Sequence, residues 1–172
     1  WTHRPAAAED ASGCGAAIAD VRADGHSVWI VGLNNGLIKV IGLRSGELIH
    51  VLRGHEDEIS QLCYYEEWGI ISSSFDSTLR VWDTVVGVCV ARLAEHNEGV
   101  YCFAVAPSRG AIVSGSADGS LKVWNTDGRC TASLHGHESE VYCLAVSERL
   151  IASGSSDSSV RFWSWYGECL QV

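Results

Sequence analysis

A 41-residue period constrains this chain more than anything else in it. His55, His96 and His137 follow one another at that interval, and each opens a similar segment: Gly54-His55-Glu56, Glu95-His96-Asn97 and Gly136-His137-Glu138. Each segment leads into a Ser-rich turn that ends on Asp: Ser72 to Asp76, Ser114 to Asp118 and Ser153 to Asp157. Six residues after each Asp stands a Trp, at Trp82, Trp124 and Trp163. A period of this length marks supersecondary units that cannot bury their apolar faces alone and must stack on their neighbours.

Within one period the texture is all-β. Val100 to Val105 is a β-rich run, followed by a Pro-Ser-Arg-Gly turn and then Ala111 to Ser114. The turn at Ala117-Asp118-Gly119 precedes Leu121-Lys-Val-Trp124, which alternates apolar and polar residues, and Asp127-Gly128 precedes Cys130 to Leu134. That is four short strands per period, separated by hairpin chemistry. No stretch carries a long helical period with caps. One period upstream of the first clear copy, Cys14, Asn35 and Ile41 fill the places of His, Asp and Trp. The strand-like runs Ser27 to Val31, Gly36 to Val40 and Glu47 to Val51 are nevertheless present. The first copy is therefore degenerate, and it is expected to be looser than the others.

These residues closely resemble the WD-repeat family. The period, the Gly-His opening and the terminal Trp, which forms a true Trp-Asp pair at Trp82-Asp83, all match its pattern. The resemblance implies an all-β chain built of propeller blades, each a four-stranded antiparallel sheet. The expected division is an N-terminal segment over 1–12 and four blades over 13–172, at about 13–53, 54–94, 95–135 and 136–172. The resemblance also implies a larger propeller, closed by further blades or by another chain. The chain begins at Trp1, contains no Met, and has no spare N-terminal strand to complete the last blade; Glu168 to Val172 already supplies that blade's fourth strand. An open array leaves bare blade faces, so self-association is expected.

Each clear copy holds His, Ser and Asp, the residues of a nucleophilic triad. Three copies at one period argue against that chemistry, because an enzyme needs one site. No Gly-x-Ser-x-Gly elbow with a following helix is present either. By resemblance the residues form structural tetrads: His55, Ser72, Asp76 and Trp82; His96, Ser114, Asp118 and Trp124; His137, Ser153, Asp157 and Trp163. In each set the serine two positions later is an equal alternative, having the same strand parity. Buried networks of this kind rigidify a fold when every member is satisfied. No catalytic residue is assigned, and the chain is read as a non-enzyme.

The same resemblance places partner-facing side chains three and five residues after each His and one before each Asp. These are Glu58, Ser60 and Phe75; Gly99, Tyr101 and Ala117; and Glu140, Tyr142 and Ser156. The first copy would offer Ala17, Ala19 and Asn34. The rim candidates are Glu58, Ser60, Phe75, Tyr101, Glu140, Tyr142 and Ser156. The His-bearing loops are acidic, with Glu56-Asp57-Glu58, Glu95 and Glu98, and Glu138 and Glu140. Such runs are either ordinary solvated loops or, with the nearby aromatics, a surface for Lys and Arg.

Composition narrows the partner further. A net charge of −9 argues against nucleic acid and anionic membranes, because phosphate binding needs a cationic face. A basic partner fits better. No apolar run approaches the ~20 residues of a membrane span. The seven cysteines contain no CxxC pair, and no His stands at finger spacing from a Cys pair, so neither a metal nor a cofactor is expected. They are read as small core residues in a reducing compartment. Cytoplasmic placement is expected, with the nucleus left open. Trp165 and Tyr166 are read as either an exposed aromatic patch or a cover for a neighbouring blade edge. Together these features point to a scaffold that binds other proteins through its rim. The alternative is a structural or regulatory part of a larger enzyme or cytoskeletal assembly.

Overall fold

The computed structural model describes residues 16–23 and 26–172, with side chains from Ser27 onward. The N-terminal segment 1–12, Cys14, and the side chains of Ala17 and Ala19 lie outside the described residues. Among the described residues sixteen strands run in chain order. β1 (Ala16–Ala23), β2 (His26–Gly32), β3 (Ile38–Gly42) and β4 (Leu48–Leu52) form one sheet; β5 (Ile59–Tyr65), β6 (Gly69–Ser74), β7 (Leu79–Trp82) and β8 (Cys89–Leu93) form the second. β9 (Val100–Ala106), β10 (Ala111–Ser116), β11 (Leu121–Asn125) and β12 (Cys130–Leu134) form the third; β13 (Val141–Val146), β14 (Ile151–Ser155), β15 (Val160–Trp163) and β16 (Cys169–Gln171) form the fourth. In every sheet sequential strands are neighbours, and the paired registers are antiparallel. The Pro-Ser-Arg-Gly turn is a single 3-10 turn, Pro107–Arg109, closed by Gly110 in the left-handed region at φ 58°.

The described residues divide into two compact units, one made of those up to 74 together with 80–90, the other of 75–79 with 91–172. In the first unit, Ile59, Ile70 and Trp82 pack on Val28, Ile30, Ile38, Val40 and Leu52. In the second, Val141, Ile151 and Trp163 pack on Cys102, Ala111, Val113, Leu121, Val123 and Leu134. The two cores therefore obey one rule: an aliphatic from the first strand, another from the second and an aromatic from the third cover the face of the preceding sheet. A fully buried aliphatic or aromatic side chain contributes about 1.5–3 kcal/mol, so each such joint carries several kcal/mol of gross burial.

A small residue marks the point of closest approach. A Cβ added to Gly32 would lie 2.7 Å from Ile59 Cγ2, and one added to Gly115 would lie 2.7 Å from Val141 Cγ1. The glycine of the Ser-Gly-Ser turn thus makes room for the next sheet. It has no role as part of a nucleophile elbow.

The cysteine expectation needs correction. Cys102 is buried at the joint between the third and fourth sheets, but its counterpart Cys143 is exposed, and so is Cys169. The residue type is the same in both places; the difference is whether a following sheet covers it.

Candidate functional site

Two constellations recur through the repeats, one buried and one at the surface. The buried one starts at the serine. Ser114 and Ser72 are wholly buried and Ser153 nearly so. The Oγ atoms of Ser72, Ser114 and Ser153 lie 2.8 Å from Nε2 of His55, His96 and His137 respectively. Each also accepts a hydrogen bond from an indole N–H, at 2.8 Å from Trp82, 2.9 Å from Trp124 and 2.8 Å from Trp163. A carboxylate can only accept, so in His96 and His137 the imidazole proton sits on Nδ1, and Nε2 accepts from the Ser hydroxyl. From there it points at a carboxylate: His96 Nδ1 lies 3.0 Å from Asp118 Oδ2, and His137 Nδ1 lies 2.8 Å from Asp157 Oδ2. The structure thereby decides between the paired serine alternatives. The later serines bond backbone carbonyls instead, Ser74 to Asp57, Ser116 to Glu98 and Ser155 to Ser139.

Sequence reasoning missed a fifth participant, the hydroxyl two residues after each Asp. Ser120 and Ser159 donate both Oγ–H and N–H to Oδ1 of Asp118 and Asp157, and Thr78 does the same to Asp76. The sequence signal was available as a hydroxyl residue at Thr78, Ser120 and Ser159. Backbone N–H groups of Asn97 and Glu138 add a further donor each to Asp118 and Asp157. Burial alone would raise the Asp118 carboxyl. The bonds from His96, Ser120 and Asn97 outweigh it and hold Asp118 well below the usual carboxylate range. For Asp157 the Ser159 hydroxyl is the largest influence, with His137 and two backbone N–H groups acting in the same direction against partial burial.

This arrangement ties the loop before the first strand to the turn after the second. The three serine oxygens are enclosed and already bonded to an indole, so a substrate carbonyl has no approach to them. In the first sheet, Asn35 Oδ1 accepts from the Leu37 N–H, and Ile41 is a buried apolar residue.

The surface constellation lies in the second unit. Tyr101 is half-buried between two rings. Phe75 meets it edge-on with centroids 5.1 Å apart, and Tyr142 lies against it at 4.8 Å. Gly99 permits this, since a Cβ there would lie 3.0 Å from Phe75 Cδ1. Tyr142 is 49% exposed. Its hydroxyl donates to Glu140 Oε2 at 2.7 Å, and Ser156 Oγ lies 3.2 Å from the same oxygen. The Glu140 bond is the main reason the Tyr142 hydroxyl is pushed up to about 12. Backbone bonds from Ala117 N–H to Gly99 and from Ser156 N–H to Glu140 hold the two turns in equivalent positions.

Of the seven rim candidates, five therefore come together: Phe75, Tyr101, Glu140, Tyr142 and Ser156. Glu58 and Ser60 belong to the other unit, where the Ser60 hydroxyl pairs with Ser73 at 2.8 Å. Trp165 and Tyr166 have different fates. Trp165 packs on the second unit's core, donates to the Ser147 carbonyl and carries the Arg109 guanidinium 4.7 Å above its ring. Tyr166 is exposed. Arg109 also donates from both Nε and Nη2 to the Glu148 carbonyl.

The family described as WD domain, G-beta repeat matches residues 46–83, 87–125 and 128–164, more than half of the chain. The chain belongs to the WD-repeat family. Its WD repeats are similar to those of the DENN domain and WD repeat-containing protein SCD1 of Arabidopsis thaliana. That match is 34% identical over 62% of this chain and 9% of the relative. Cell division control protein 4 of Saccharomyces cerevisiae is 34% identical over 56% of this chain and 12% of its own length. WD repeat and SOCS box-containing protein 1 of Danio rerio is 35% identical over 56% and 23%. The chain thus matches a quarter or less of each of these relatives.

Two solved structures share the WD-blade fold. The computationally designed Ika8 protein superposes with a TM-score of 0.79 at 28% identity, over 91% of this chain and 48% of that one. The designed Ika4 protein superposes with 0.78 at 28% identity, over 89% and 91%. WD repeats serve as protein-interaction modules and are generally non-catalytic scaffolds. Among the described residues no helix is long and apolar enough to cross a membrane, and no cluster of His, Cys, Asp and Glu could hold a metal ion.

Proposed function

We propose that this WD array binds a partner protein by seating a Lys- or Arg-bearing segment on the exposed face of Tyr142, beside the Glu140 carboxylate. The observation that carries this reading is the Phe75–Tyr101–Tyr142 stack, which ends in a half-exposed ring whose hydroxyl is fixed by Glu140. A ring held by packing and by one strong bond loses little further entropy when a cation docks on it. The hydroxyl stays protonated because the adjacent carboxylate opposes its ionisation. A cation over such a face is worth about 0.5–2 kcal/mol. The carboxylate adds about 0–1 kcal/mol, screened by salt. Glu58 and Ser60 are proposed as partner-facing residues of the first unit. The six free thiols among the described residues suit a reducing, intracellular compartment.

The small share of each relative that is matched favours a second reading, in which the WD array is a structural part of a larger assembly. The two separate in a titration of labelled Lys- and Arg-containing peptides by fluorescence anisotropy, at low salt and at ~0.15 M. Tyr142→Ala should weaken binding about 2- to 30-fold at both ionic strengths, the equivalent of the cation–ring term. Glu140→Gln keeps an acceptor for the Tyr142 hydroxyl and removes only the charge, so its effect should appear mainly at low salt. If both variants bind as the parent does, the docking surface lies elsewhere and the structural reading stands.

A further inference from the structure

We infer that Arg109, held over the Trp165 ring, is a docking point for an aspartate or glutamate carboxylate carried on a partner protein, with Tyr166 beside it as the apolar contact. The inference is independent of the peptide site at Tyr142.

Both members of the pair are held in place from beneath. Trp165 packs on the core of the second unit, and its indole N–H donates to the Ser147 carbonyl at 3.2 Å. Arg109 ends the 3-10 turn that Gly110 closes, and its guanidinium carbon lies 4.7 Å from the centroid of the Trp165 ring. Arg109 Nε donates to the Glu148 carbonyl at 2.9 Å, and Nη2 donates to the same oxygen. One edge of the guanidinium is thereby used. The other edge, where Nη1–H and the second Nη2–H run parallel, has no partner among the described residues. Nor does Arg109 form an ion pair with a carboxylate of the described residues, the neighbouring Glu148 side chain included. Arg109 is nevertheless exposed. An arginine oriented by a ring and a carbonyl, with its end fork and its charge both unused, is arranged for bidentate recognition of a planar oxyanion. It loses little side-chain entropy on binding, because the side chain is already held.

Blade construction does not require this arrangement. Two residues beyond the tetrad tryptophan, the second and third sheets have Thr84 and Thr126 where the fourth has Trp165. One place further on they have Val85 and Asp127 where the fourth has Tyr166. Tyr166 is 89% exposed. An uncovered tyrosine next to an oriented arginine brings together two of the residue types that dominate binding energy at interfaces. The charge of the ligand is bounded as well. The chain carries a net charge of −9, and Glu148 and Glu168 are neighbours of the site in sequence. One guanidinium balances one carboxylate, whereas a phosphate group brings a charge of about −1.5 to −2 into the same field. The chemistry favours Asp or Glu over a phosphorylated side chain.

The test follows the Arg109 Nε–H resonance of the 172-residue chain by NMR, assigned by its loss in Arg109→Lys. Three probes are titrated: the end-blocked peptide Gly-Leu-Glu-Leu-Gly and its counterparts with Gln or phosphoserine at the centre. The Glu peptide should shift the resonance saturably and bind about tenfold more tightly than the Gln peptide, the difference between a charged and a neutral acceptor. Arg109→Lys keeps the charge and loses the fork, so the Glu peptide, followed at the Tyr166 amide, should bind about 3- to 10-fold more weakly. Tyr166→Ala should also weaken binding, and a retained thermal melt shows that each variant folds. The inference is overturned if no peptide moves the Arg109 resonance, or if Glu and Gln peptides move it equally. It is likewise overturned if the phosphoserine peptide binds more tightly than the Glu peptide, because the ligand is then a phosphate. Binding undiminished in Arg109→Lys or in Tyr166→Ala overturns it too, by placing the contact on other residues.

Discussion

Replacing Asp118 by Ala removes the acceptor of four hydrogen bonds at once. Two end on Oδ2, from His96 Nδ1 at 3.0 Å and Asn97 N–H at 3.0 Å; two end on Oδ1, from Ser120 Oγ at 2.6 Å and Ser120 N–H at 2.9 Å. Their costs differ. The Asn97 N–H is near the surface, so water replaces the lost bond. The His96 side chain is completely enclosed, so its Nδ1–H keeps only the long contact to Ser120 Oγ at 3.4 Å. Stranding one buried donor costs about 1–3 kcal/mol. For a chain of this size that corresponds to a melting point lower by about 2–12 °C. Asn35→Ala, at the matching place in the first sheet, removes one exposed bond of 3.3 Å to the Leu37 N–H and should cost no more than about 0.5 kcal/mol. Asp118→Asn keeps the shape and one acceptor oxygen and should fall between the two. Thermal melts of the three variants, read by far-UV circular dichroism, decide the matter. Equal losses for Asp118→Ala and Asn35→Ala would refute the claim that the His–Ser–Asp–Trp network holds the third sheet together.

The acid limb of stability follows from the same carboxylates. Asp118 and Asp157 titrate below their unfolded range, so their stabilisation is complete above about pH 4 and is lost as the pH falls through their folded values. The melting point should therefore decline from about pH 4 toward pH 2 in the parent, and less steeply when both are Asn; parallel profiles would count against the argument. Ser158 sits at φ 66°, where the third sheet has Gly119 at φ 75°. Ser158→Gly should relieve a left-handed penalty of about 1 kcal/mol net of glycine's unfolded-state entropy, raising the melt slightly. Gly115→Val should destabilise by about 1–3 kcal/mol through overpacking against Val141 and Cys102, and unaltered denaturant midpoints would remove the notch argument. Arg109→Ala frees the Trp165 ring and the Glu148 carbonyl, so tryptophan emission should shift to the red with a loss of about 1 kcal/mol.

The sequence by itself determined the repeat and the four-strand unit, and by resemblance it pointed to the residue types of the buried constellation. These depend on short-range signals, alternation and turn residues, and on chemistry copied at a fixed interval. The interval also separated a structural network from a catalytic one before any distance was known. Tertiary structure decided what depends on neighbours. Ser72, Ser114 and Ser153, rather than the serines two places on, meet His and Trp, because strand parity alone leaves both on one face and only the fold shows which lies under the indole. The hydroxyls of Thr78, Ser120 and Ser159 enter as Asp acceptor bonds that lie within a turn, and in the sequence they look like ordinary loop residues. Cys102 and Cys143 read identically along the chain, yet one is enclosed and the other exposed. Tyr101 and Tyr142 likewise occupy equivalent positions, but Phe75 and Tyr142 sandwich the first, while the second keeps an open face. Burial is a property of what stacks on a residue, and a repeat writes the same letters in an enclosed place and in an exposed one.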